Sequence, residues 1–564
     1  MLFRGSKFFA LAACTVGMLG MGALELFAQA KTLTRQYDPI AFDAHLSSST
    51  LFDLPIAELT AYRYEAAGDR FVRIPFQVDE VDTNGGYFTE TDGFIDFNDE
   101  IAFMPGDAGD RAGTDKWLND AGAIANPRYE LEVTDPINTA QKAWVYLFRN
   151  VSNLPAAPAP YVSYVPDPNG AGADTIKAKS YVSANNQKHG LPNYGAVIQS
   201  NGSRSADLID QLKLRINGIA LGFVAYKASE EVNLDSARTR ASGGPVRIIR
   251  EATVNLSFPQ LGIGKLTEFA IPIVYYPYSN LVSFKNARID SASADLYGAN
   301  MLRQSLDFSA NVLGTGMKFY NARNQGGVNI DGVRETPHPD TTVEVSKINW
   351  VVSTGSVASF ITLVSVPAIG TRQSLYFFDS STGGTRDGTT DTGDLKSYGD
   401  IGIRVDGQKI QGQFSFDFSL YYLNALPASD PVAVGEQFKA LQENPVTVLA
   451  TQQSNTSAVA SPAVDLNSFA LYDAYPNPFA PAKEKIRIAF NTGAAKAQAD
   501  LRIYNLVGQE VARFSSRDAV RTNGRQELSW NGVDRLGHAL PAGVYFYKLQ
   551  VGHQVAVKKL VLMR

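Results

Sequence analysis

Cysteine is nearly missing: Cys14 is the sole cysteine among 564 residues. Everything after it can form no disulfide, supply no thiol nucleophile and build no cysteine metal site. Stability must come from apolar cores or bound ions. Histidine is also scarce. His45, His189, His338, His538 and His553 form no H-E-x-x-H pattern or close pair, which excludes the common zinc hydrolases. No G-x-x-x-x-G-K-[ST] phosphate loop is present, and Gly202-Ser203-Arg204-Ser205 is not a G-x-S-x-G nucleophile elbow. A net charge of −5 argues against nucleic acid as a partner, because phosphate binding needs a basic surface. Past the first thirty residues no apolar run is long enough for a transmembrane helix. No repeat of 20–50 residues recurs, which disfavours propellers and solenoids.

What is abundant suits strands. Hydrophobic residues make up 45% of the chain, and 31 Phe and 25 Tyr stand against four Trp. Residues 31–160 read as short strands, among them Arg73–Val78 and Ala143–Phe148. The proline-rich Leu154–Pro160 reads as a connector. Residues 161–450 carry longer strands: Val246–Phe258, Glu268–Tyr276, Ile348–Val352, Ser374–Phe378 and Gln413–Tyr422. In the last, Phe414, Phe416, Phe418, Leu420 and Tyr422 alternate with polar residues, which predicts a sheet with one buried face. One helix is well signalled, with Asp430 as N-cap, Pro431 at the first turn, Phe438 and Leu441 on one face, and an end before Pro445. Residues 451–468 read as a polar linker.

The chain opens with a secretory leader. Arg4 and Lys7 form its basic region, Phe8–Leu24 is mostly apolar, and Ala28-Gln29-Ala30 is an A-x-A cleavage site, so a mature chain is expected from Lys31. A lipoprotein signal at Leu11-Ala12-Ala13-Cys14 is disfavoured, because Lys7 and Cys14 stand too close for an apolar region of about 7–15 residues.

The other end is the most specific part. Tyr475-Pro476-Asn477-Pro478-Phe479, Ile503-Tyr504-Asn505-Leu506-Val507-Gly508, Gly543-Val544-Tyr545 and the terminal Lys558-Lys559-Leu560-Val561-Leu562 occur in order. Residues 469–564 therefore resemble the C-terminal (type A) sorting domain of type IX secretion cargo from Bacteroidota. The resemblance implies an immunoglobulin-like sandwich of about seven strands, related in fold to flagellar hook-capping (FlgD-like) domains. It implies the type IX machinery as partner, passage through the periplasm, and delivery to the outer surface or medium, with cleavage or attachment to surface lipopolysaccharide common in the family.

The cargo itself offers only weak sites. Glu80, Asp82 and Asn84 alternate before Gly85 like the first half of a calcium loop, but Thr91 stands where a closing Glu is expected. The same residues serve as solvated hairpin turns. A second acidic, glycine-rich stretch runs from Asp379 through Asp387, Asp391 and Asp394 to Asp400, again open to calcium, sugar hydroxyls or plain solvation. Lys188-His189-Gly190 with Tyr181 and Tyr194 is the most enzyme-like group, and its competing reading is a polar loop with a surface histidine. No catalytic set is named.

The sequence thus predicts an all-β, multi-domain β-sandwich protein: leader 1–30, N-terminal β domain 31–160, large sandwich 161–450, linker 451–468 and sorting domain 469–564. Its expected cargo role is non-enzymatic adhesion, glycan binding or structure. The alternative is a polysaccharide-active lyase or hydrolase, since Gly243-Gly244-Pro245-Val246-Arg247 loosely resembles a strand entry in galactose-mutarotase-type lyases. Residues 451–564 fused behind a leader and a reporter should be exported in a host with type IX machinery. Deleting Lys558–Arg564 should abolish that export, as read by reporter activity in the medium.

Overall fold

β-Branched and aromatic runs become strands throughout the computed structural model. It describes residues 29–564 except 48, 83–84, 89–90, 97, 167–173, 260–261, 290–294, 296–297, 383–395, 456–468, 473, 482–484, 493–498, 506–508, 516–517, 523–524, 535–536, 552–553 and 564. Two compact units result, Met1–Ser457 and Ala458–Arg564. Among the described residues every strand pairing within the sheets is antiparallel.

In the first unit a nine-stranded sheet runs in the order Leu234–Gly243, Ile248–Phe258, Ile263–Tyr275, Ser279–Ile289, Gly412–Leu423, Ser359–Ser365, Ile348–Thr354, Lys318–Tyr320, Val328–Asn329. A five-stranded sheet faces it: Val224–Ser229, Ile209–Ala220, Ala299–Phe308, Ser397–Asp406, Arg372–Ser380. Their shared core joins Ile209, Leu306, Phe308, Phe377 and Ile401 to Val254, Ile271, Phe360, Phe418 and Tyr422. This is sheet-on-sheet packing, with inward residues of both layers interdigitating.

The strand Gly412–Leu423 departs from its predicted single buried face. Phe416, Phe418, Leu420 and Tyr422 are buried as expected, but Ser419 and Tyr421 are buried too. The cause is the helix Pro431–Glu443, which lies on the outer face and packs Val434 and Phe438 against Trp350, Ile361, Leu363 and Tyr421. Asp430 caps it through the Val432 N–H at 2.9 Å. Gly435 lets helix and sheet approach, since a Cβ there would meet the Trp350 ring at 2.2 Å.

The N-terminal region adds a five-stranded sheet in the order Thr447–Gln453, Arg128–Thr134, Lys142–Arg149, Leu59–Glu65, Arg70–Arg73. The apolar run of Lys142–Arg149 is buried on both faces: Ala143, Val145 and Leu147 join one core, Trp144, Tyr146 and Phe148 another. The run Arg73–Val78 is not one strand. Arg70–Arg73 and Gln77–Asp79 belong to different sheets. Pro75 between them offers no N–H to a ladder, and the Ile74 N–H turns back to the Ala61 carbonyl.

One strand of this sheet comes from far along the chain. Thr447–Gln453 pairs with Arg128–Thr134, so Thr451, Gln452 and Gln453 are strand residues although the sequence places them in the linker. Val448 and Ala450 point into the N-terminal core. The chain thus closes back onto its own beginning, and 31–160 and 161–450 share one compact unit.

Arg247 joins the two parts. It is 1% exposed. Its Nε donates to Asp79 at 2.7 Å, its Nη2 to Glu100 at 2.5 Å, and its Nη1 to the Tyr276 hydroxyl at 3.3 Å. The Gln77 side-chain oxygen accepts the N–H groups of Val246 and Arg247. Gly244 leaves room for this, because a Cβ there would meet the Gln77 side chain at about 3 Å. Removing one partner of a buried pair leaves the others charged and desolvated. Arg247→Ala should therefore lose about 3–5 kcal/mol in urea unfolding, and adding Asp79→Asn and Glu100→Gln should return part of that loss.

Candidate functional site

Among its described residues the sorting unit forms two four-stranded sheets, Phe469–Leu471, Ile486–Thr492, Arg525–Trp530, Val520–Thr522 and Glu510–Ser515, Ala499–Asn505, Gly543–Val551, Gln554–Leu562, against about seven strands expected. Alternation in Ile486-Arg487-Ile488 and Leu501-Arg502-Ile503 sends the isoleucines and leucine inward, where Trp530, Tyr545, Tyr547 and Leu560 share the core. Motifs more than eighty residues apart in sequence meet here. The Asn477 side chain accepts the Val561 N–H at 2.7 Å and donates to the Lys559 carbonyl at 3.3 Å. Phe479 is fully buried against Trp530. Its N–H donates to the Val561 carbonyl, and its carbonyl accepts from Met563.

Tyr475 and Pro476 start this segment. Tyr475 exchanges backbone hydrogen bonds with Arg487 and leaves its ring exposed. Gly543 and Tyr545 begin the neighbouring strand, with the Tyr545 hydroxyl donating to the Pro541 carbonyl. Lys558 and Lys559 stand opposite Tyr547 and Phe546, with Lys559 exposed. Pro478 lies between Asn477 and Phe479 along the last strand; Gly508 falls outside the described residues. Phe546, Val557 and Lys559 are exposed on the outward side of the Gly543–Val551 and Gln554–Leu562 pair, and Tyr475 is exposed beside Arg487 of the other sheet.

In the first unit the calcium candidates Glu80 and Asp82 close turns. Glu80 accepts the Gly93 N–H at 2.8 Å and Asp82 accepts the Gly86 N–H at 2.9 Å. Asn84 lies outside the described residues, as do Asp387, Asp391 and Asp394 of the second acidic stretch. Asp379, which opens that stretch, does gather partners. It meets Asp331 and Glu335, with one carboxylate oxygen of each within 4.8 Å of the others. Asp379 is buried and held by the N–H groups of Asp331, Gly332 and Gly399 at 2.9, 2.8 and 3.1 Å. Gly332 and Gly399 both have positive φ, 77° and 67°, which aims those amides inward.

Burial still pushes the Asp379 carboxyl up to about 6. Glu335, half-buried, is pushed up to about 7 by burial, with the charges of Asp379 and Asp331 adding to it. Asp331 and Glu335 border an open depression with Lys318, Val328, Asn329 and Arg334. Sequence reading missed Asp331 and Glu335, because they lie more than forty residues from Asp379. The one local clue was the Asp331-Gly332 turn.

The enzyme-like group disperses. His189 is buried, not on the surface, with Nδ1 accepting the Leu191 N–H at 3.3 Å and its pKa pushed down by burial to about 4. Tyr181 stacks on Tyr422 at 4.2 Å and donates to the Ser279 carbonyl. Tyr194 is partly exposed beneath Arg204. Ser203 closes a turn with Asn201.

Residues 473–563 match the family model of the secretion system C-terminal sorting domain. Comparison with curated proteins finds no match. Among solved structures the chain is similar to dimeric latent PorU from Porphyromonas gingivalis, at 11% identity and TM-score 0.15, over 76% of this chain and 36% of that one. It thus spans about a third of PorU. It is similar as well to PorZ of the same organism, described as an essential bacterial surface component of the type IX secretion system, at 12% identity and TM-score 0.13, over 77% and 79%. Likeness of this degree says nothing of activity. The chain carries a type IX sorting signal and is exported to the cell surface or extracellular space. Among the described residues no helix is long and apolar enough to cross a membrane.

A carboxyl whose pKa is raised on folding binds more protons in the native state between its unfolded and folded values. Its contribution to stability therefore falls as pH rises from about 4.5 to about 7 at Glu335. Glu335→Gln should remove that slope, so its thermal midpoint should exceed the wild type's at pH 8 and not at pH 4, in metal-free buffer.

Proposed function

We propose that the exported part of the chain, residues 31–455, works outside the cell by binding a glycan without transforming it. The observation that carries this reading is the convergence of Asp331, Glu335 and Asp379 beside a depression open to solvent. Three hard oxygen donors suit calcium, which keeps further coordination positions for sugar hydroxyls or water. Bound calcium would also favour ionised Glu335 and Asp379, which burial alone disfavours. Surface polysaccharide or lipopolysaccharide is the proposed partner of this rim. The sorting unit's proposed partner is the type IX machinery, met through the exposed Phe546 and Lys559 of its last two strands. Its paired antiparallel sheets support an immunoglobulin-like fold of the hook-capping kind.

A second reading, a polysaccharide-active enzyme, draws on Glu335 alone. A carboxyl held up to about 7 next to other carboxylates is suited to donate a proton to a glycosidic oxygen. The mature chain should retain purified surface polysaccharide in calcium, and lose it in EDTA and in the Asp331→Asn/Glu335→Gln variant. Equal retention in EDTA would contradict the calcium-bridged site. Release of new sugar ends, abolished by Glu335→Gln, would establish the enzyme instead.

A further inference from the structure

The first residue after the A-x-A site is held as a chain terminus would be. The Lys31 backbone nitrogen donates to the Asp110 carboxylate at 2.8 Å. Its side-chain ammonium donates to three carbonyls, those of Pro105, Gly106 and Ala108, at 2.9, 3.2 and 2.8 Å. Asp110 is itself fixed, since its other oxygen accepts the Ala66 N–H at 2.9 Å and its own N–H donates to the Tyr64 carbonyl. Immediately beyond, the N–H groups of Thr32 and Leu33 both reach the Lys142 carbonyl, and Leu33 enters the N-terminal core. Before Lys31, the described contact is the Gln29 carbonyl accepting the Arg111 N–H.

We propose that leader removal between Ala30 and Lys31 creates an ion pair that the precursor lacks, between the new α-ammonium of Lys31 and Asp110. Signal peptidase and water cleave the Ala30–Lys31 amide. The hydroxyl goes to the Ala30 carboxyl, the proton to the released amine, which takes a second proton from solvent. The hydrogen bond from a neutral amide to the Asp110 carboxylate becomes one between two ions, which adds the Coulombic attraction of the new ammonium. The Arg111 N–H passes from Gln29 to water. Processing thus tightens the N-terminal sheet only in the chain that has left the cytoplasm.

The α-ammonium titrates near 8 when unpaired. Pairing raises its folded value, so the added stability is complete below about 8 and is lost as pH rises through that higher value. The charged groups facing the site, Asp107, Asp110, Arg63 and the Lys31 side chain, are common to both forms and cancel in the comparison.

The test compares the mature 31–564 chain with one extended by the leader's last residues, each with Asp110 intact or as Asp110→Asn. At pH 7 the mature chain should melt about 1–3 °C higher than the extended one. That difference should vanish at pH 10 and in the Asp110→Asn pair, and the exported protein's N-terminus should be Lys31 by mass spectrometry. Equal midpoints at pH 7, a difference that persists in Asp110→Asn, or an exported chain starting at Gln29 or an acylated Cys14 would overturn the proposal.

Discussion

The Arg247 guanidinium is the constraint on which the first unit turns. It leaves the strand-rich sandwich and enters the small N-terminal sheet of Ile40–Asp43, Gln77–Asp79 and Glu100–Phe103. Three things had to be arranged around it: carboxylates on two strands of that sheet, a glycine at 244 so that Gln77 can approach, and aromatic hydroxyls to complete the shell. Such a buried pair adds little to net stability over apolar packing, but separating its members is costly. It therefore makes the contact between the N-terminal region and the sandwich costly to break. Tyr161 donating to Asp107, and Arg35 holding Asp135 together with the carbonyls of Leu441 and Asn444, repeat the pattern on other sides.

The same logic organises the sorting unit on a smaller scale. Its termini are joined by Asn477 and Phe479, whose partners are backbone groups of the last strand and so do not depend on that strand's side chains. The side chains of Tyr475 and Lys559 are left facing solvent. In the last strand Leu560 and Leu562 enter the core while Lys559, next to Leu560, faces solvent, as strand alternation requires.

Much of this was legible from local patterns. Period-two alternation and apolar runs marked the long strands, Asp430-Pro431 marked the helix start, and the ordered terminal motifs marked the sorting unit. What escaped was non-local. The burial of Ser419 and Tyr421 depends on a helix that begins a few residues later and folds back, which alternation cannot reveal. The pairing of Thr447–Gln453 with Arg128–Thr134 joins residues over three hundred apart, and a polar Thr-Gln-Gln end looks like linker until a partner strand is seen. Pro75 was visible, yet its effect, sending the flanking strands to different sheets, was not. The carboxylate rim is the clearest case. Asp379 was readable as one acid in an acidic stretch, while Asp331 and Glu335 became its neighbours only because the edge strand Val328–Asn329 of one sheet ends beside the edge strand Arg372–Ser380 of the other.

Hydrogen exchange on the mature chain addresses the central point most directly, because cooperative units open with a common free energy. If Arg247 and the returning strand weld the N-terminal sheets to the sandwich, the slowest amides of Thr447–Gln453, Lys142–Arg149 and Ile248–Phe258 should share one opening free energy, and should fall together when Arg247 is replaced. Slow amides of the N-terminal sheets that open independently of those in Ile248–Phe258 would show two separately folding domains and contradict the weld.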